Sequence, residues 1–164
     1  WHGPAFVKSY VGWRDRFSGN IWITPDGTPA IELEVNTDLG DAHILGYIDR
    51  IFQMPDGSLK IVDLKAGRTT PTDGLQLGVY GIGLPSSWVR PTTGSYFMAR
   101  DGSLVGDYDL IAMRSRIEYE FGQAWRDINA GSFLPKETYM CKFCSVRPFC
   151  WAKDGEYSEA VKPF

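Results

Sequence analysis

No apolar run in the chain approaches the ~18 residues that mark a membrane-spanning helix, so no span is expected, and no secretory leader is recognisable. Positive charge is not in excess either. Seventeen Lys and Arg face twenty Asp and Glu, for a formal net charge of −3 and a pI near 5.4. A non-specific duplex binder usually carries a basic face, so high intrinsic affinity for nucleic acid is not advertised, although an acidic metal site would lose part of this charge once loaded. Cysteine is limited to three residues, all between Cys141 and Cys150. An odd, clustered set excludes a disulfide framework spread over the chain. It points instead to an intracellular, cytoplasmic protein with a metal or cluster site. Internal repeats and low-complexity linkers are absent, and so is an initiating Met at Trp1. From that last absence, a processed or trimmed fragment is expected.

What remains is a chain of 164 residues, 43% hydrophobic and 14% aromatic. That is one domain's worth, enough for a single sizeable core, and residues 1–164 are read as one domain with a cysteine-rich segment at 132–151. Its centre is Gly46 to Tyr80. The residues alternate apolar and polar, turn at Pro55-Asp56-Gly57, alternate again, and pass into a helical run. Strand periodicity places Leu45, Tyr47, Asp49 and Ile51 on one face of the first strand and Leu59, Ile61, Asp63 and Lys65 on one face of the second. Two carboxylates and a lysine thus project from neighbouring strands among apolar positions. Charge on an apolar face is costly unless paired or bound to a metal. D-x-K alone also fits a solvent-facing ion pair on an edge strand.

Hydrolysis of a phosphodiester needs a nucleophilic water, charge stabilisation at phosphorus and help for the departing oxygen. Hard divalent cations supply these and prefer carboxylate and carbonyl oxygens. Asp49 and Asp63 are suitable ligands for Mg2+ or Mn2+, with the Leu64 backbone carbonyl as a third. Lys65 is suited to orient the water or neutralise charge in the transition state. Arg50, Lys60, Lys65 and Arg68 are the local cations available to track phosphates. In the following helix Gln76 and Tyr80 stand at i and i+4, on one face. Tyr80 fits a site role and a packing role nearly equally.

These residues carry a resemblance. Gly46, Asp49 and Arg50 in G-x-x-D-R, then a turn, Asp63, Lys65 and Gly67 in D-x-K-x-G, and Gln76 and Tyr80 in Q-x-x-x-Y resemble the RecB-like branch of the PD-(D/E)XK nucleases. The resemblance extends over roughly Ala5 to Cys150. It implies an α/β restriction-endonuclease-like core, a central mixed sheet flanked by helices. It implies a Mg/Mn-dependent deoxyribonuclease, an exonuclease acting on single-stranded DNA or duplex ends in repair, recombination, phage or CRISPR-related processing, with a helicase as a possible partner. Asp49, Asp63, Lys65, Gln76 and Tyr80 would be its catalytic set and Arg50 and Arg68 its DNA contacts. Two rival readings are a degenerate, cluster-stapled DNA-binding or assembly module and a structure-specific or restriction endonuclease.

Elsewhere, Phe6, Tyr10, Trp13 and Phe17 recur at helical spacing, and Ile31, Leu33 and Val35 at strand spacing with Glu32 and Glu34 opposite. Either glutamate could approach a metal, although solvation is the simpler role. Residues 37–41 read as a turn into the central hairpin. A helix covers Gly74 to Leu84, a second hairpin turns at Asp101-Gly102, and the longest helix repeats Leu110, Met113, Ile117, Phe121, Ala124 and Ile128 before ending near Gly131. Cys141, Cys144 and Cys150 form C-x2-C-x5-C, three thiolates for a centre that wants four ligands. Zinc would accept this spacing. RecB-like nucleases, among them CRISPR-associated exonucleases and helicase–nuclease subunits, join three such cysteines to one upstream around a 4Fe-4S cluster. Here the upstream cysteine is missing. The family's helical histidine has only His2 as a candidate, followed at once by Gly3-Pro4, while His43 reads as a surface residue. A nuclease domain lacking its N-terminal segment is the expectation that covers all three absences.

Overall fold

In the computed structural model, residues 3–132, 135–150 and 152 are described. They fall into two compact units, Trp1–Gly122 and Gln123–Phe164. Helix α1 (Gly3–Arg14) is followed by strands β1 (Asn20–Ile21), β2 (Ile31–Leu39), β3 (Ala42–Gln53) and β4 (Leu59–Lys65). Helix α2 (Leu75–Gly83) then leads to β5 (Thr93–Met98), β6 (Ser103–Asp109) and α3 (Arg114–Asn129). The six strands make one mixed sheet in the order β1-β3-β4-β5-β6, with β2 also paired to β3. The expected α/β architecture of a mixed sheet flanked by helices is what forms.

The central hairpin forms as its pattern predicts. β3 and β4 pair antiparallel from Gln53↔Leu59 to Arg50↔Val62. Its turn takes Gly57 into the left-handed region at φ 85°, a conformation that costs a glycine little. Asp56 Oδ1 accepts the Ser58 backbone N–H at 2.9 Å and the Ser58 hydroxyl at 2.7 Å. β4 then pairs parallel with β5, from Lys60↔Thr93 to Lys65↔Met98. Parallel neighbours need a crossover connection, and α2 lies in it. β4 is therefore an interior strand, which removes the edge-strand reading of Asp63 and Lys65.

The two faces of the sheet are covered by different helices. On one, α2 packs Leu77 with Ile48, Ile51, Ile61 and Tyr96; on the other, α1 packs Trp13 with Phe52, Val62 and Phe97. Ile117 of α3 joins Val79 and Leu39 in a third cluster, fully buried against Gly78, where an added Cβ would lie 2.2 Å from the Ile117 side chain. The helix begins at Arg114 rather than Leu110, because Asp109 Oδ1 accepts the Ile111 and Ala112 N–H groups, both at 2.9 Å, and turns the chain first. In the second unit Gly131 ends α3 at φ 66°. The Gly131 and Ser132 N–H groups donate back to Ile128 and Asp127, the glycine-ended pattern expected.

Two strand expectations fail at one place. Leu45 and Tyr47 are exposed while Ile48 and Ile51 are both fully buried, so alternation does not run unbroken from Leu45 to Ile51. Likewise Ile31 is exposed whereas Val35 is buried. β2 and β3 pair at Ile31↔Arg50 and again at Leu33↔Ile48, and between those pairs stand Glu32 and Asp49. Glu32, at φ 49°, is the only non-glycine residue with positive φ among the described residues. A local irregularity of this kind re-aims side chains and changes which face they meet. β2 also extends to Leu39, so the turn is tighter than residues 37–41, with Gly40 at φ 63°.

Candidate active site at the end of the central strand

The regular β3–β4 pairing ends at Arg50↔Val62, one step before Asp49 and Asp63. The next N–H on that edge of β4, Leu64, donates instead to Asp49 Oδ2 at 2.7 Å. A strand residue's N–H and C=O leave by the same edge, so the Leu64 carbonyl faces the same opening. The sequence thus puts a carboxylate where a backbone acceptor would be, and the strands part around it.

Asp63 is 3% exposed. The Lys65 ammonium lies 2.7 Å from its Oδ2, near enough to balance charge, but off the line of a directed hydrogen bond, which leaves Oδ2 buried and without a hydrogen-bond partner. Burial pushes the Asp63 carboxyl above its ordinary range, Lys65 pulls it back, and the negative charges of Asp49 and Glu32 add to the upward shift. The buried carboxylate is thus charge-paired on one side by Lys65, and its oxygens keep acceptor capacity for a further cation.

From Lys65 a chain of contacts runs into α2. Lys65 Nζ donates to Gln76 Oε1 at 2.9 Å, and Gln76 Nε2 donates to the Tyr80 hydroxyl at 2.8 Å. The i, i+4 spacing on α2 produces that second bond. Tyr80 lies over Gly46 of β3, where a Cβ would come within 3.1 Å of its ring. Asp63, Lys65, Gln76 and Tyr80 therefore converge as a connected set, with Asp49 across the strand gap. Tyr96 was not anticipated. Its ring lies 5.4 Å from Lys65 Nζ, its hydroxyl donates to the Asp73 carbonyl at 3.1 Å, and burial, with the Asp63 charge second, raises its pKa. Only the parallel register Asp63↔Tyr96 brings it there, and nothing in the alternation of β4 signals that register.

The remaining candidates divide. Arg50 donates to its neighbour's Asp49 carbonyl and reaches Glu32 Oε1 at 3.3 Å, so Glu32 is ion-paired at the margin of the site. Glu34 is held away by the Tyr47 hydroxyl at 3.2 Å. Lys60, considered as a phosphate contact, is mostly buried and paired with Asp107. Arg68 is exposed on the loop after β4. His43 sits on the surface 2.8 Å from Asp38, as expected, and His2 lies outside the described residues. The buried Asp63 carboxylate, the Asp49 carboxylate and the Leu64 carbonyl edge form an all-oxygen set that suits a hard divalent cation. Among the described residues, however, no three His, Cys, Asp or Glu side chains group as a ready-made ligand set.

Residues 13–151 match the PD-(D/E)XK nuclease superfamily. The chain belongs to that superfamily. Its mixed sheet with flanking helices is the restriction-endonuclease-like fold, and nucleases of this superfamily typically use Mg2+ or Mn2+. Among curated proteins the chain is similar to the Gene 69 protein of Mycobacterium phage D29, 38% identical over 156 residues, covering 90% of this chain and 57% of the relative. It is also similar to the Gene 69 protein of Mycobacterium phage L5, 32% identical over 175 residues, covering 90% of this chain and 60% of the relative. This PD-(D/E)XK chain thus spans less than two thirds of the length of the relatives it matches.

The cysteines of the second unit are arranged otherwise. Two short 3-10 turns, Tyr139–Phe143 and Arg147–Phe149, carry them. The Thr138 N–H donates to Cys141 Sγ at 3.3 Å and the Cys144 N–H to the Cys141 carbonyl at 3.5 Å. Cys144 is exposed, Cys141 and Cys150 half-buried, and the three thiols do not converge. Among the described residues, no helix is long and apolar enough to cross a membrane.

Proposed function

We propose that this chain is a RecB-like nuclease domain that hydrolyses DNA phosphodiester bonds with Mg2+ or Mn2+, as an exonuclease. The observation that carries the reading is the buried Asp63 oxygen left without a hydrogen bond 2.7 Å from Lys65. Asp49, Asp63 and the Leu64 carbonyl would hold the ion, which supplies an activated water and charge stabilisation at phosphorus. Lys65 neutralises negative charge as it develops on the phosphate oxygens. Gln76 fixes the position of the Lys65 ammonium, and Tyr80 fixes Gln76. Arg50 and the exposed Arg68 hold the DNA backbone. Exonucleolytic action and a helicase partner rest on the resemblance of the motif set alone. For the cysteines, the same resemblance supports a 4Fe-4S cluster with its fourth ligand elsewhere, and metal binding commonly organises such segments from an unassembled state.

The test pairs a binding measurement with a rate. Calorimetric titration with manganese should show one divalent site in the unaltered protein. Lys65→Ala should keep the fold, by circular dichroism, and lose about 10²–10³-fold in DNA cleavage. Full cleavage by Lys65→Ala, or no heat of manganese binding, overturns the assignment. Degradation of linear DNA with closed circles spared supports exonuclease action, and nicking of circles opposes it.

A further inference from the structure

Tyr96 is 2% exposed within β5, and its ring meets two groups. The Lys65 ammonium lies 5.4 Å from the ring centroid, and Tyr108 stands edge-on at 6.0 Å. The Tyr108 backing is built by a departure from regular pairing. β5 and β6 pair at Gly94↔Tyr108 and next at Tyr96↔Val105, a bulge held by the Ser95 hydroxyl, which donates to the Gly106 carbonyl at 2.6 Å. Bulges re-aim the side chains beside them, here Tyr108. Two glycines make room for it. A Cβ at Gly106 would lie 2.2 Å from the Tyr108 ring, and one at Gly74 would lie 2.5 Å from it. At its far end the Tyr96 hydroxyl donates to the Asp73 carbonyl, and Asp73 Oδ1 accepts the Leu75 N–H at 3.1 Å in the first turn of α2.

We propose that Tyr96 is a positioning residue for Lys65. Its ring steadies the ammonium at the end of β4, and its hydroxyl ties down the start of α2, from which Gln76 reaches the same ammonium. The effect on cleavage rests on the nuclease reading, whereas the contact itself does not. A lysine head is a compact charge with three donors on a flexible stem. Gln76 takes one donor, and Asp63 supplies charge without a directed bond. Those two contacts alone leave the ammonium room to swing. An aromatic face attracts a cation without claiming a particular donor. It therefore holds the ammonium in place and leaves a donor to turn toward a phosphate oxygen. A methionine would fill the same core volume without that attraction, so core filling alone does not call for a ring here.

The test compares three variants of the 164-residue chain, each checked by melting temperature. Tyr96→Met loses the ring and Tyr96→Phe keeps it. Phe97→Met alters the next aromatic of the same strand, 1% exposed but packed with Trp13 on the opposite face. On linear DNA in manganese, Tyr96→Met should lower kcat about thirtyfold with KM little changed. Tyr96→Phe and Phe97→Met should each stay within about fivefold of the unaltered rate. A second measurement needs no cleavage. In protein carrying carbon-13-labelled lysine, the Lys65 ε-methylene signal, assigned by its loss in Lys65→Arg, should be displaced from the other lysines by the ring current. It should return among them in Tyr96→Met and stay displaced in Tyr96→Phe. A Lys65 signal undisplaced in the unaltered protein overturns the proposal whether or not any variant folds. So does a Tyr96→Met protein that cuts at the unaltered rate, or an equal rate loss in Phe97→Met. A displaced, ring-dependent Lys65 signal in a protein that never cuts in manganese retains the positioning and removes the nuclease reading.

Discussion

The end of β4 and the cysteine segment are both unusual places in the sequence, and the fold treats them in opposite ways. Around Asp63 the surroundings are closed. An interior strand, a parallel neighbour and a crossover helix leave that carboxylate 3% exposed, and Lys65, Gln76 and Tyr80 are linked in one run of contacts beside it, with Asp63 Oδ2 ion-paired to Lys65 but outside any hydrogen bond. Around Cys144 they are open. Tyr139, Phe143, Val146 and Phe149 are all at least half exposed, and the thiols do not meet. Burial makes an unpaired polar group costly, so a sequence that buries one must specify its partners. An exposed segment is under no such demand, and its geometry can wait for a ligand.

The sharpest way to break this contrast is Asp63→Asn. Cleavage should fall by about 10³-fold or more if the carboxylate holds the ion, whereas in EDTA the same protein should melt at a higher temperature at pH 7. The sign follows from the raised pKa of Asp63. Between the unfolded value, about 3.9, and its higher folded value, the native state binds more protons. Stability contributed by this group is therefore lost as pH rises through that window. The melting gain from Asn should be full above the folded pKa and should shrink as pH falls below it. Equal melting profiles for the two proteins would mean that Asp63 is not strained by burial.

A smaller effect separates core from surface. Ile117→Ala empties a fully buried position behind α2 and should cost about 2–5 kcal/mol in denaturant unfolding. A loss below 1 kcal/mol would mean that α3 does not seal the crossover helix. Smallest is Cys144→Ser. Because that thiol is exposed, metal-free protein should change by no more than about 0.5 kcal/mol. Anaerobically purified protein should lose most of its iron and sulfide. Unchanged iron, or stoichiometric zinc in the unaltered protein, would remove the cluster.

Much of the candidate site's arrangement is legible in the sequence. The turn at Pro55-Asp56-Gly57, the D-x-K strand and the i, i+4 pair on α2 all follow from local spacing, and their contacts are local consequences of it. What could not be read was non-local. The parallel β4–β5 register that delivers Tyr96 is set by the crossover, and the irregularity at Glu32 and Asp49 interrupts a period of two that a pattern alone continues. That is why Leu45 and Tyr47 were grouped with the buried face, although they are exposed. Lys60 looked like a phosphate contact for a similar reason, since its partner Asp107 is 47 positions away. The helix-like recurrence from Leu110 misled at its start because Asp109 diverts the chain into a turn.

The crossover has a consequence in time as well as in space. Lys65 leaves β4 with its ammonium beside Asp63, but the acceptor that steadies it, Gln76, belongs to the segment that must swing over the sheet before β5 can pair. Contacts that wait on such a loop closure are the late ones in folding. A chain with α2 undocked and β5 unpaired would hold both carboxylates in a bare hairpin, its lysine without the Gln76 acceptor. Under the proposed assignment the candidate site is thereby coupled to the completion of its own fold, so that an immature chain would carry the motif without the arranged site.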